Sequence, residues 1–456
     1  MDSMVVGVAA SGIVAIVAIK VWREGRARKI GPLDGPVMVN RRLKEFSMAT
    51  VGLHPAAETQ DKKRMWIVVV LCFFGYMMYS VDRMVMSGAI GLIAKEFGLS
   101  NAMKGLLLSS FFYGFAAFLF IGGLLSDRWS GKPVVIAGIV LFSLFTFATG
   151  TSTGLATMIV YRILTGIGEG VFWPAASYEV SNVTTQRERS TVMAAYWCGY
   201  PIGGFFGTWL GAVLGPKYGW RSVFFVACAL GLVISFLYGV LVKSKPATGS
   251  AQKTASTAYK VPLRELITNP TVFLLGLYYF LVMCAWWIVL LWAPTFLMTT
   301  KHLSLGLGGT IASTLGLSGA AGGIILGRYC DKGSLQRLKT VLITMTLLSG
   351  LLMAGLVLNI PTWLTAITML VLGFLGYPLT PILLSVVSQI VPKSITGSAI
   401  GFVMNFGMLG GAVSPLLLGV FTGRYGMSAL WFYAAVVLGM SSLCLFAASK
   451  FRESAT

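Results

Sequence analysis

The chain has 456 residues, 56% of them hydrophobic and 11% charged, with a formal net charge of +20 and a mean hydropathy of +0.81. A soluble protein carries about a quarter charged residues, so this composition excludes a soluble domain. Separate apolar runs of about 20 residues indicate membrane-spanning helices and exclude a β-barrel, whose strands alternate over about 10 residues.

The basic excess suits loops beside anionic headgroups, and no helix-turn-helix, finger or RNA-binding signature supports a nucleic-acid partner. Six cysteines lie in or at the ends of apolar segments without metal spacing, and His54 and His302 fall outside those segments. No nucleotide loop, nucleophile elbow or metal motif appears, so neither an enzyme nor a cofactor or metal is expected.

In chain order, residues 1–61 form an N-terminal extension. Its apolar stretch 5–22, followed by REGRARK, is short for a span. It reads either as an extra N-terminal membrane-associated helix or as an upstream start with Met48 the natural one; no small-residue cleavage site follows, which argues against a signal peptide. Residues 62–242 read as a six-helix bundle with spans near 66–91, 104–126, 134–150, 155–181, 191–214 and 222–242. A polar Lys-, Ser-, Thr- and Ala-rich linker occupies 243–270. Residues 271–450 read as a second six-helix bundle, with spans near 271–298, 306–328, 339–358, 363–390, 398–421 and 427–449. The expected fold is therefore all-α, with twelve transmembrane helices in two bundles. With the segment before span 1 inside, inner loops and the C-terminus hold 16 Lys and Arg against 6 in outer loops, so the termini of this core are expected in the cytoplasm.

Of 35 basic residues only Arg83 and Arg162 remain inside spans, and of 15 acids only Asp82, Glu169 and, near a span end, Glu179. Each charge at the bilayer centre costs about 2.5–3.5 kcal/mol, so the four central groups have to be matched with one another. Asp82 and Arg83 are adjacent and point about 100° apart; Arg162 and Glu169 stand two helical turns apart on one face. The chain also repeats itself. GGLLSDRWSGKPV (122–134) follows span 2 and GGIILGRYCDKGSLQRLK (322–339) follows span 8, each with paired glycines and then an Asp and a base. Halves repeated in this way suggest one bundle rocking against the other around a midplane site.

Over about residues 62–450 the chain resembles the major facilitator superfamily. GGLLSDRWSGKPV is similar to its G-x-L-x-D-R-x-G-R-K signature: Gly123, Asp127, Arg128 and Lys132 are kept as gating residues, with Asp331 and Lys332 in the second copy, while Ser130 and Gly131 replace the family's Gly-Arg. Within the superfamily it resembles the anion:cation symporters, the group of bacterial sugar-acid and aromatic-acid permeases and of sialin- and vesicular-glutamate-type carriers. YSVDRMVMSGAI is similar to that group's Y-x-D-R-x-N-L-S-x-A, YRILTGIGEGVFWPAAS (161–177) to its R-x-L-x-G-x-G-E-G-x-x-x-P, and LWAPTFL (291–297) to its W-x-P-x-Y-L. Where the group often has Gly-Tyr and then Gln in span 2, this chain has Gly114-Phe115 and Phe120, which suits a less hydroxylated or aromatic ligand.

The resemblance implies proton symport of a small organic anion, a sugar acid or an aromatic acid, by a monomer in the cell membrane. It implies protonation at Asp82 and Glu169, substrate binding at Arg83, and coupling at Arg162. The chemistry agrees: a guanidinium grips a carboxylate with two hydrogen bonds and stays charged, so the carboxyls must carry the proton. Asn405, Tyr200 and Tyr113 are further substrate-binding candidates. Tyr196, Tyr278, Tyr279, Tyr377, Ser385 and Gln389 lie in spans that face or flank the cavity, and Trp286 and Trp287 read as packing. A sodium-coupled symporter, an anion exchanger and a non-transporting sensor remain as alternatives, and a structural ion-pair cluster remains the bland reading of the four charges.

Overall fold

The computed structural model describes residues 55–129, 131–185, 188–242, 269–330, 334–358, 360–391 and 396–450. The apolar stretch 5–22, most of the linker, Asp331 and Lys332 lie outside the described residues, as do the side chains of Asp127 and Arg128. Regular structure among the described residues is α-helical: α1 (Pro55–Phe97), α2 (Asn101–Trp129), α3 (Gly131–Gly150), α4 (Leu155–Val183), α5 (Arg189–Trp197), α6 (Gly199–Tyr218) and α7 (Trp220–Leu241). After the linker come α8 (Pro270–Thr299), α9 (Leu305–Cys330), α10 (Leu335–Val357), α11 (Thr362–Gly376), α12 (Leu379–Ile390), α13 (Thr396–Tyr425) and α14 (Ser428–Lys450).

Among the described residues eleven stretches are long and apolar enough to cross a membrane. The predicted span 191–214 is not one of them: it is divided at Cys198 into α5 and α6, and α6, though 20 residues long, is too rich in glycine to be apolar enough. The span predicted at 363–390 is also divided, between α11 and α12 at Tyr377-Pro378. Both divisions carry Gly-Tyr-Pro, Gly199-Tyr200-Pro201 and Gly376-Tyr377-Pro378. Each proline lacks the N–H that would close the preceding turn, and its ring crowds the carbonyl four residues back.

Glycines set how closely the helices approach. On α6, Gly199, Gly203, Gly207 and Gly211 recur every four residues, and a Cβ on each would meet the α1 backbone, at Phe73, Met77, Val81 and Val85 in turn. The two helices therefore lie flush along this stripe, the packing that small residues permit in membranes. On α4, a Cβ on Gly166 or Gly170 would strike α2, and one on Gly168 would strike α3. Glu169, buried, and Ile167, half-buried, are the side chains left among these three glycines.

The halves repeat the same joints. Gly122 of α2 abuts the Gly170 carbonyl of α4, and Gly322 of α9 abuts the Phe374 carbonyl of α11. Across the molecule α2 packs on α13 and α6 on α9. These crossings are tight at one end: Gly105 meets the Pro415 carbonyl, Gly419 meets the Asn101 carbonyl, and Ser87 Oγ lies 2.9 Å from the Leu291 carbonyl oxygen. Towards the other end Gly123, Gly323 and Gly401 each have open space where a Cβ would stand. The α2–α13 crossing is thus tight at the end bearing Phe97 and Asn101.

Candidate functional site

The four central charges meet at the core, each at most 2% exposed. With α1 fixed against α6, the opposite side of α1 turns Asp82 and Arg83 towards α4. Arg83 Nε donates to Glu169 Oε2 at 2.5 Å. Arg162 Nη1 lies 3.7 Å from Asp82 Oδ1 and donates to the Asp82 carbonyl at 3.2 Å. Adjacent residues on α1 thus serve different residues of α4, as the 100° step between them requires. Both carboxyls are engaged on one side only. Among the described residues Asp82 Oδ2 and Glu169 Oε1 have no donor, and Arg83 Nη2 has no acceptor.

Sequence reasoning missed two parts of this shell. Thr146 of α3 donates to Asp82 Oδ1; a threonine inside an apolar span gives no signal of its own. The Arg83 guanidinium is enclosed by rings, with Tyr79 at 4.0 Å, Phe111 and Phe115 at 4.5 Å and Trp287 at 5.9 Å. Trp287, read from sequence as packing, is part of this cation–π enclosure.

Tyr200 borders the same centre, its ring 5.9 Å from Tyr79 and 6.2 Å from Tyr377, with its hydroxyl towards Arg83. Tyr377 in turn packs edge-on to Trp286 at 5.5 Å. The two Gly-Tyr-Pro breaks thereby bring one tyrosine from each half to the centre. The repeated tripeptide was the signal that could have found this pair.

Other candidates lie elsewhere. Tyr113 is 44% exposed and apart from the ring cluster. Asn405, expected to be buried, is exposed and donates to the Gly401 carbonyl of its own helix. It begins an exposed row continued by Leu409, Val413 and Leu417 at four-residue spacing. Ser385 and Gln389 are exposed. The Tyr278 and Tyr279 hydroxyls pair with Thr346 and Thr380, and Tyr196 is buried against Tyr76. Among the gating residues Lys132 Nζ donates to the Gly239 carbonyl at 2.7 Å, and Gly123 faces open space. Glu179 accepts from Tyr238 at the start of α3, away from the charged centre.

Residues 72–415 match the Major Facilitator Superfamily model. The chain is 28% identical over 380 residues to a hexuronate transporter of Bacillus subtilis (strain 168), covering 80% of this chain and 90% of that protein. It is 27% identical over 406 residues to a 3-(3-hydroxy-phenyl)propionate transporter of Escherichia coli (strain K12), covering 85% and 95%. Its fold is similar to that of a bacterial homolog of the human lysosomal transporter Spinster, with a TM-score of 0.70, 16% identity and coverage of 84% of this chain and 96% of that one. These relatives are membrane transporters, not enzymes.

Proposed function

Because the chain belongs to the major facilitator superfamily, on its anion:cation symporter branch, we propose that it imports a small organic anion with protons by alternating access. One observation carries the reading: two carboxylates and two guanidiniums, sealed from solvent, share one neutral cluster across α1 and α4.

Such a cluster couples charge by arithmetic. One proton added to the Asp82–Glu169 pair leaves a net charge of +1 at the centre. A monocarboxylate restores neutrality, and a cluster kept neutral is the least costly to bury. A proton held on Glu169 removes the negative charge that now pairs with Arg83 Nε. Arg83 is then the anion anchor and Arg162 the counter-charge that holds Asp82. In the orientation that the basic loops favour, the core termini are cytoplasmic, and the end at which Gly123, Gly323 and Gly401 face open space is the cytoplasmic one. The relatives' names include a hexuronate and a hydroxyphenylpropionate, both carboxylates.

The test is uptake into proteoliposomes of labelled organic acids, with and without an inward proton gradient, by wild type and Glu169→Gln. The gradient drives accumulation in the wild type, and the variant retains only exchange or downhill flux. Accumulation driven by sodium and indifferent to protons replaces the proton reading; binding without flux under any gradient removes the transport reading.

A further inference from the structure

The proposed carboxylate anchor accounts for one end of the ligand. The other end is addressed by the Gly-Tyr-Pro breaks. Ser80 Oγ and Tyr377 Oη are buried, and neither has a hydrogen-bond partner among the described residues. Both converge on the bare α-carbon of Gly204: an ideal Cβ there would lie 3.0 Å from Tyr377 Oη and 3.6 Å from Ser80 Oγ. They come from opposite halves, Ser80 from α1, three residues before Arg83, and Tyr377 from the α11–α12 break. Buried hydroxyls without partners are costly and uncommon. Tyr278 and Tyr279 show the ordinary arrangement, each paired with a threonine. Tyr196 also lacks a partner, but it is sealed with 0% exposure behind Tyr76, whereas Tyr377 stays partly open.

Between this hydroxyl pair and Arg83 lie rings. Tyr200 bridges the two places, and Tyr79, Trp286 and Trp287 flank them. The buried polar side chains among the described residues are Ser, Thr, Asp, Glu, Arg and Lys, with no Asn or Gln. A polyhydroxylated acid needs a partner for each hydroxyl it buries. This centre offers mostly stacking surface, with the two hydroxyls and the indole N–H of Trp287 as its neutral donors unpartnered among the described residues.

We infer that Ser80 and Tyr377, whose hydroxyls approach over Gly204, form a second polar subsite, and that the transported anion is an aromatic acid bearing a hydrogen-bonding substituent on its ring. The proposal rests on the anion-transport reading. The carboxylate engages Arg83, the ring lies against Tyr200, and the substituent meets the two hydroxyls. Because one hydroxyl belongs to each half, such a ligand ties the halves together at the level where their helices are broken, as expected for a midplane site of discontinuous helices.

The experiment is binding to the purified full chain, followed by tryptophan fluorescence, with 3- and 4-hydroxybenzoate, benzoate and glucuronate as probes. At least one hydroxybenzoate is expected to bind roughly tenfold or more tighter than benzoate and glucuronate, since a site built to hydrogen-bond a hydroxyl rejects the analogue lacking it. Tyr377→Phe and Ser80→Ala each shrink the hydroxybenzoate-to-benzoate ratio by about three- to tenfold, and Gly204→Ala shrinks it by pressing a methyl on the Tyr377 hydroxyl. A site that binds glucuronate tightest overturns the inference and leaves anion transport standing. So do variants that weaken both benzoates by the same factor, which marks a packing role. Failure of every acid to bind the wild type removes the anion-transport reading and this inference with it.

Discussion

Thr146 and Thr346 stand 200 residues apart on α3 and α10, as Gly122 and Gly322 do on α2 and α9. Each threonine bonds back to its own helix, to the carbonyl of Phe142 at 2.8 Å and of Leu342 at 2.7 Å. Each also reaches the first helix of its half. In the first half it meets the carboxylate Asp82; in the second it meets the phenol Tyr278 at 2.9 Å. The same scaffold position therefore holds a charge in one half and a neutral hydroxyl in the other. The repeat specifies the helix joints, and the two halves divide the chemistry: ionisable groups in the first, ring surface and hydroxyls facing them from the second.

The sharpest way to break this contrast is Arg162→Leu, which strands Asp82 beside a neutral side chain. Loss of one partner from a buried pair costs about 3–5 kcal/mol. A melt followed with a thiol-reactive dye would read it, because Cys72, Cys228, Cys284 and Cys330 are buried until the chain opens. Thr146→Val removes a hydrogen bond to a charged acceptor and should cost about 1.5–3 kcal/mol in the same melt. Thr346→Val removes one between neutral groups and should cost about 0.5–1.5 kcal/mol. If the two valine variants lose equal stability, the proposed division of chemistry between the halves is wrong. Asn405→Ala, on an exposed row, should change stability by less than about 0.5 kcal/mol; a larger loss would place that side chain in a buried contact.

The four charges were legible because ionisable residues inside an apolar span are rare and must be matched. Their pairing followed from helical angle alone: Asp82 and Arg83 on neighbouring faces, Arg162 and Glu169 on a shared one. Other features depended on neighbours that sequence does not display. Asn405 looked like a residue in need of a partner; its orientation is set by how α13 meets α2 and α8, and it satisfies itself on Gly401. Tyr113 sits between the buried Phe112 and Gly114 yet turns outward. The enclosure of Arg83 draws on α1, α2 and α8, residues up to 204 positions away, and no local pattern encodes it. Span 5 was read as one continuous helix because Pro201 was not weighed against the carbonyl of Trp197.

The glycine stripe of α6 has a mechanical consequence. A side chain at Gly203, Gly207 or Gly211 would drive into the α1 backbone, so α1 and α6 have no clearance in which to slide apart. On its other edge α6 touches α9, where Gly309 meets Ala212 and Gly316 meets the Pro201 carbonyl. A pull on Arg83 therefore loads a beam two helices thick whose far side bears on the opposite half. The proposed anion anchor and the seam between the halves are parts of one rigid lever.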